Sequence, residues 1–352
     1  MAFQGERLIF ARKRRQVSQA ELARIADLAP RSLQRYERGH ESPKEDTLAR
    51  IASALRFPPE FFVDARPLPH VPPNSISFRG YSRIKAKLRD NAVTAAQLAV
   101  GIEATLSEQF DLPELDVPDF REETDDPAEA ARRLREHWSL GSGPIPNMVH
   151  LLERHGVRAF SAEASADVDA FCFWQDAKAF VILSRAKSPE RGRFDCGHEL
   201  AHLTLHRLVD FRSKDVEREA DAFAGEFLVP SDALADHAPS FITTETVKKL
   251  KQVWGVSAMA MVRRLKEIGR LTEWTYRSMC MDLAQEGYRS AEKDGLRQHE
   301  TSSLLADMIV SDDGVGVREL ARELCVSAAD IAPLVFDLPT QRGPLRLVHS
   351  TR

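Results

Sequence analysis

His198, Glu199 and His202 form a His-Glu-x-x-His sequence inside the stretch Asp195-Cys196-Gly197-His198-Glu199-Leu200-Ala201-His202-Leu203-Thr204-Leu205-His206. Residues four apart on an α-helix stand one turn above each other on the same face. Two imidazoles so placed can reach one metal ion, with Zn–N distances of about 2.0–2.1 Å. Glu199, one step beyond His198, falls beside the open coordination position, where a carboxylate can take a proton from an attacking water. Leu200, Ala201, Leu203 and Leu205 are good helix formers and no Pro interrupts them. The spacing predicts a zinc site on a helix; the plainer alternative is two core histidines beside an ion-paired Glu.

A catalytic zinc usually takes three protein ligands and a water. His206 continues the four-residue spacing, but eight residues of helix rise about 12 Å, too far for one ion to join it to His198. His206 is expected to pack or to support a ligand, and Cys196, which points away from the His face, to be structural. The third ligand is expected in a second helix, Val216 to Pro230, apolar at Ala220, Phe223, Ala224 and Phe227. Glu219 is the first choice and Glu217 the second. Asp221 or Glu217 can hold the far ring nitrogen of a ligand histidine and so set its tautomer. No oxyanion donor stands out; His206 is a candidate, Tyr276 and Tyr288 weaker ones.

The elements around these residues read as α+β. Helices are expected at 128–138 and 147–155, then strand-like runs at 157–160, 170–174 and 179–183, the last two joined as a hairpin across Gln175 to Lys178. A sheet followed by such a helix places the active helix beside an edge strand, onto which an extended peptide can add.

A second chemistry lies near the N-terminus. Ser18-Gln19-Ala20-Glu21 is a capping box. Leu22, Ala23 and Ile25 follow it, Ala26-Asp27-Leu28 turns the chain, and Pro30 suits the first turn of the next helix, which Gly39 stops. Short helix, tight turn, second helix is the helix-turn-helix layout, whose second helix enters the DNA major groove. Arg31, Ser32, Gln34 and Arg35 are the candidates to touch DNA, since Arg can pair with guanine and Gln with adenine. Leu33 and Tyr36 are expected inward. The basic run Arg12 to Arg15 is either a solvated helix end or a phosphate contact. A bundle that binds only protein is the alternative for the whole block.

Two resemblances follow from these residues. Ser18-Gln19-x-Glu21-Leu22-Ala23, Leu33-x-x-Tyr36-Glu37-x-Gly39 and Pro43-x-x-x-Thr47-Leu48-x-x-Ile51-Ala52 closely resemble the XRE family of lambda-repressor/Cro-like DNA-binding domains. Ala29-Pro30 departs from that pattern, where a small polar cap is usual. Phe180 to Leu183, Arg193-Phe194, His198-Glu199-Leu200-Ala201-His202, Glu219-Ala220-Asp221-x-Phe223-Ala224 and Leu228-Val229-Pro230 resemble the ImmA/IrrE metallopeptidase family, over about 130–275. The second resemblance implies a gluzincin-like zinc peptidase that cleaves a repressor or antitoxin. It implies His198, His202 and Glu219 as zinc ligands, Glu199 as general base and Phe180–Leu183 as the edge strand for substrate.

Composition agrees. Residues 1–66 hold 13 Lys/Arg and 9 Asp/Glu, a balance of +4, whereas the remaining 36 and 44 give −8. A basic block on an acidic body suggests that the N-terminal part alone meets nucleic acid. Cys172, Cys196, Cys280 and Cys325 make no C-x-x-C pair, which argues against a zinc ribbon and fits a reducing, cytoplasmic setting. Neither a signal peptide nor a run of 18 apolar residues is present, so no membrane partner is expected.

The fold class expected is mostly α and multidomain. A lambda-repressor-like helical domain spans 1–66. A Pro-rich linker, helical connector (81–110) and acidic hinge span 67–126. The α+β gluzincin-like minidomain spans 127–280, and a helical C-terminal region of unknown role spans 281–352, with a degenerate helix-turn-helix pattern from Val317 to Leu338. Expected partners are an operator duplex and a protein substrate; the connector or the C-terminal region can also pair two copies. The leading function is a transcriptional regulator with a zinc endopeptidase domain. The alternative is a regulator or antitoxin whose His-Glu-x-x-His domain senses metal or ligand, or sequesters a partner, without proteolysis.

Overall fold

The computed structural model describes residues 2–77, 85–162, 170–207, 213–289 and 291–339. The chain is 56% helical with one small sheet, a mostly α, multidomain fold as expected. In order, the helices are α1 (Gly5–Arg14), α2 (Gln19–Ile25), α3 (Pro30–Glu37), α4 (Glu45–Leu55), α5 (Ala86–Ser107), α6 (Pro127–His137) and α7 (Met148–Arg154). Strands β1 (Arg158–Ala162), β2 (Ala170–Gln175) and β3 (Lys178–Ser184) follow. Then come α8 (Pro189–Leu205), α9 (Lys214–Leu228), α10 (Ser231–His237), α11 (Thr244–Trp254), α12 (Ala258–Glu267), α13 (Glu273–Gln285), α14 (Ser303–Val310), α15 (Val317–Glu323) and α16 (Ala328–Ile331). The chain divides into two units: residues 1–73, 85–112 and 302–352, and residues 74–84 with 113–301.

In the first unit, α1 to α4 bury Leu8, Phe10, Leu22, Leu33, Ile51 and Leu55 around Phe61 and Phe62. The capping box forms: Glu21 N–H donates to Ser18 Oγ at 3.2 Å and Ser18 N–H to Glu21 Oε2 at 2.7 Å. The connector helix α5 begins at Ala86; residues 81–84 of the expected 81–110 helix lie outside the described residues. Gln97 reaches back to donate to Pro69 O at 2.6 Å, so the Pro-rich run folds against α5. The basic run is neither a bare solvated end nor a free phosphate grip. Arg12 pairs with Glu37 (2.6 Å), Lys13 with Asp90 (2.8 Å), and Arg14 and Arg15 with Asp330 of α16 (3.6 and 2.5 Å). Through Asp330 and the packing of Leu324 against Gly101, the C-terminal helices join the same core as the N-terminal ones.

In the second unit the strand order is β1-β3-β2. β2 and β3 form the expected hairpin, antiparallel, with Asp176 and Ala177 at φ +50° and +62° in its two-residue turn. β1 pairs in parallel with β3, Arg158 opposite Phe180. This corrects one expectation: Phe180–Leu183 is the central strand, because β1 takes its other side, and its backbone is hydrogen-bonded on both flanks. The outer strand beside the hairpin is β2. Alternation is lost in β3, where Ala179 to Leu183 are all buried, as befits a strand covered on both faces.

Candidate metal centre and nucleic-acid interface

Ser188 caps α8 by accepting from Arg191 N–H at 3.3 Å, and Pro189 follows in the first turn. Buried Arg193 anchors that end, donating to Ile145 O at 2.6 Å and pairing with Glu300. α9 lies against α8 because small residues face each other: a methyl added at Gly197 would stand 3.3 Å from the Cβ of Ala224. Arg135 donates to Phe227 O at 2.6 Å and Arg264 to Val229 O at 2.9 Å, satisfying carbonyls at the end of α9.

The close approach brings His198, His202 and Glu217 together, their ligand atoms all within 4.8 Å of one another. The two Nε2 atoms are 3.2 Å apart. Glu217 Oε2 lies 3.7 Å from His198 Nε2 and Oε1 3.8 Å from His202 Nε2. Glu219, the expected third ligand, is not among them. It is 45% exposed and its Oε2 lies 2.9 Å from His206 Nε2. Helix phase explains the correction: Glu217 and Asp221, four apart, share the face toward α8, whereas Glu219 is turned roughly 200° from Glu217 at 3.6 residues per turn.

Hydrogen bonds assign the tautomers. His198 Nδ1–H donates to Asp221 Oδ1 at 3.0 Å, which makes Nε2 the deprotonated nitrogen of the neutral ring. His206 Nε2–H donates to the Glu219 carboxylate, so its Nδ1 accepts, and the Nδ1 of His202, 3.0 Å away, is the donor. His202 Nε2 is then the deprotonated nitrogen of its ring as well. Two buried lone pairs facing each other at 3.2 Å repel unless a cation lies between them. Two zinc ligands at about 2.0–2.1 Å in tetrahedral array stand about 3.3 Å apart. Two neutral imidazoles and one carboxylate therefore fit a divalent ion such as zinc, and each histidine has a partner behind it. Burial pushes His206 below the ordinary imidazole value, against the pull of Glu219, which suits its role as a neutral acceptor. Burial, reinforced by Glu199, holds the Cys172 thiol well above its usual range, and burial does the same to Cys196. Neither offers a thiolate to the site.

Glu199 is 2% exposed and lies against Cys172 of β2. It is held between the metal helix and the outer strand. His206 is committed to His202 and Glu219, so it is not available as an oxyanion donor. Tyr276 stands by Lys266, and Tyr288 by Lys248 and Lys251, outside the His198–His202–Glu217 group. A cavity of about 750 Å³ opens between α8, α9, α12 and α13, lined by Phe194, Leu228, Met259, Arg263 and Tyr276. Of the metal-site residues it touches Asp221 alone.

On α3, Arg31, Gln34 and Arg35 are exposed and Ser32 is partly so, while Leu33 is fully buried. Pro30 starts the helix and Ala29 makes no side-chain cap. Arg35 pairs with Glu41 at 2.7 Å, which leaves Arg31 and Gln34 as the long polar side chains of this face without an ion pair among the described residues. Glu37, at the end of the same helix, is buried and gripped by Arg12 and by Gln19.

Comparison with protein families agrees with both halves. Residues 8–62 match the helix-turn-helix family, and residues 152–266 match the IrrE N-terminal-like domain family of peptidases. No curated protein matches the chain.

Proposed function

Starting from a chain that joins an XRE-type helix-turn-helix domain to an IrrE/ImmA-like peptidase domain, we propose that it is a DNA-binding transcriptional regulator with a working zinc endopeptidase. The observation that carries this reading is the clustering of His198 Nε2, His202 Nε2 and the Glu217 carboxylate, with the two Nε2 atoms 3.2 Å apart. His198, His202 and Glu217 would hold the ion. When bound, it supplies Lewis acidity toward a peptide carbonyl and toward water. Asp221 and the His206–Glu219 pair keep both ring nitrogens deprotonated toward the ion. Glu199, shielded from bulk water, accepts the proton of the attacking water and passes it to the departing amine. The substrate class is an extended segment of a repressor or antitoxin, whose loss relieves repression during stress or in a toxin–antitoxin setting. All four cysteines are free, in keeping with work in a reducing cytoplasm.

Glu199→Gln tests this directly. The variant is expected to keep its zinc and its DNA affinity and to lose cleavage of a co-expressed repressor by at least a hundredfold. Unchanged cleavage would overturn the assignment. The second reading, a metal or ligand sensor without proteolysis, is favoured by the cavity that shares Asp221 with the metal site. It predicts that Glu199→Gln regulates as wild type does while His198→Ala does not.

A further inference from the structure

Among the described residues β2 pairs with β3 along one side only, and its other side is an outer edge of the sheet. An outer edge presents backbone groups that an extended peptide can pair with. Here that edge is taken at one position by the chain itself. Ser77 N–H donates to Cys172 O at 3.0 Å. Ile76 and Ser77 are 1% and 0% exposed. Cys172 is also the β2 residue whose thiol lies against Glu199. The acceptor used by Ser77 thus belongs to the strand position abreast of the general base.

We infer that the outer edge of β2 is the peptide-binding edge of the active site, and that Ile76–Ser77 occupy it as an intramolecular stand-in that keeps substrate out. The inference rests on the peptidase reading and adds its regulation. A peptide that extends the sheet past Cys172 needs the same carbonyl, so the segment and the substrate exclude each other. Ile76 supplies an apolar anchor, as a substrate side chain would. The contact also has a feature of a seat made to be vacated: Ser77 Oγ is buried with no hydrogen-bond partner among the described residues, a desolvation penalty that is relieved on leaving. Residues 74–77 belong with the peptidase unit, while the chain up to Pro73 and from Lys85 belongs with the DNA-binding unit. The segment that guards the edge is therefore tethered at both ends to the part of the chain that carries α3.

The test uses the full-length chain carrying Glu199→Gln, so that nothing is cut, and a fluorescent, amidated peptide spanning residues 69–77. Ile76→Asp with Ser77→Pro removes the anchor and the donor. The double variant is expected to bind the peptide at least tenfold more tightly than the parent, with unchanged zinc content and circular dichroism. Ile76→Ala, which leaves the backbone donor in place, is expected to give a smaller gain and serves if the double variant misfolds. Equal binding by parent and folded variants overturns the inference. With Glu199 restored, the opened chain is expected to cleave casein at least tenfold faster than wild type. Tighter peptide binding without any Glu199-dependent cleavage would sink the peptidase reading and leave the edge assignment standing. Cleavage at the wild-type rate, without tighter binding, would do the reverse.

Discussion

His202 shows how far one side chain depends on the next. Its Nδ1 proton is directed by His206, whose own tautomer is set by Glu219. Partners of this kind typically alter metal affinity 10–100-fold. His206→Ala is therefore expected to weaken zinc binding by about tenfold or more, read by competition with a chromophoric chelator. Glu217→Ala, which removes the carboxylate proposed to hold the ion, is expected to cost more than His206→Ala, and Glu219→Ala less, because Glu219 is 45% exposed and acts through two rings. Equal losses at 217 and 219 would contradict the placement of Glu217 beside the pair.

At the scale of elements, α8 and α9 make the centre only because Gly197 lets them touch at Ala224. The same closeness fixes the rotation of α9 and hence the choice of Glu217 over Glu219. α3 is organised by the opposite rule, with one buried face and one bare. Leu33 anchors it, and Arg31 and Gln34 are exposed on its other side. Arg31→Ala and Gln34→Ala are each expected to cost about 1–3 kcal/mol of affinity for an operator recovered by selection, with relaxed preference at one base position. Arg35→Ala is expected to cost less, since Glu41 already competes for its guanidinium. Electrophoretic mobility shifts at fixed salt would separate these; equal losses at all three would argue for a general charge effect.

For the molecule as a whole, the DNA-binding unit is closed by residues from the far end of the chain. Asp330, 2% exposed, accepts from Arg15 at 2.5 and 2.8 Å and from Ser327 at 2.6 Å. Burial pushes its carboxyl up, but those hydrogen bonds and the charges of Arg15 and Arg14 outweigh it, so it lies below the ordinary Asp value. A depressed carboxyl contributes stability above its unfolded value of about 3.9 and loses it as pH falls through the lower folded value. Asp330→Asn is expected to destabilise this unit by about 3 kcal/mol at pH 7, the low end for a broken buried pair, because Arg15 keeps 23% exposure. The gap between variant and wild type should start to narrow near pH 4 and close only as pH falls through the lower folded value, followed by urea denaturation across pH. A gap unchanged between pH 7 and pH 2 would mean that the charge of Asp330 is not what matters.

Much of this was present in the linear order of residues. The four-residue spacing of His198 and His202, the Ser18–Glu21 box and the 175–178 hairpin are all local, and local backbone geometry dictates what such spacings do. The helix-turn-helix and the metal helix could be placed for that reason. Three features could not be read this way: the placement of Glu217 rather than Glu219 beside the two histidines, the strand order that puts β3 in the middle, and the pairing of Arg15 with Asp330. Each depends on how one element is rotated or placed against another distant in sequence. That is settled by packing, such as Gly197 against Ala224, and no period within a single helix or strand records it.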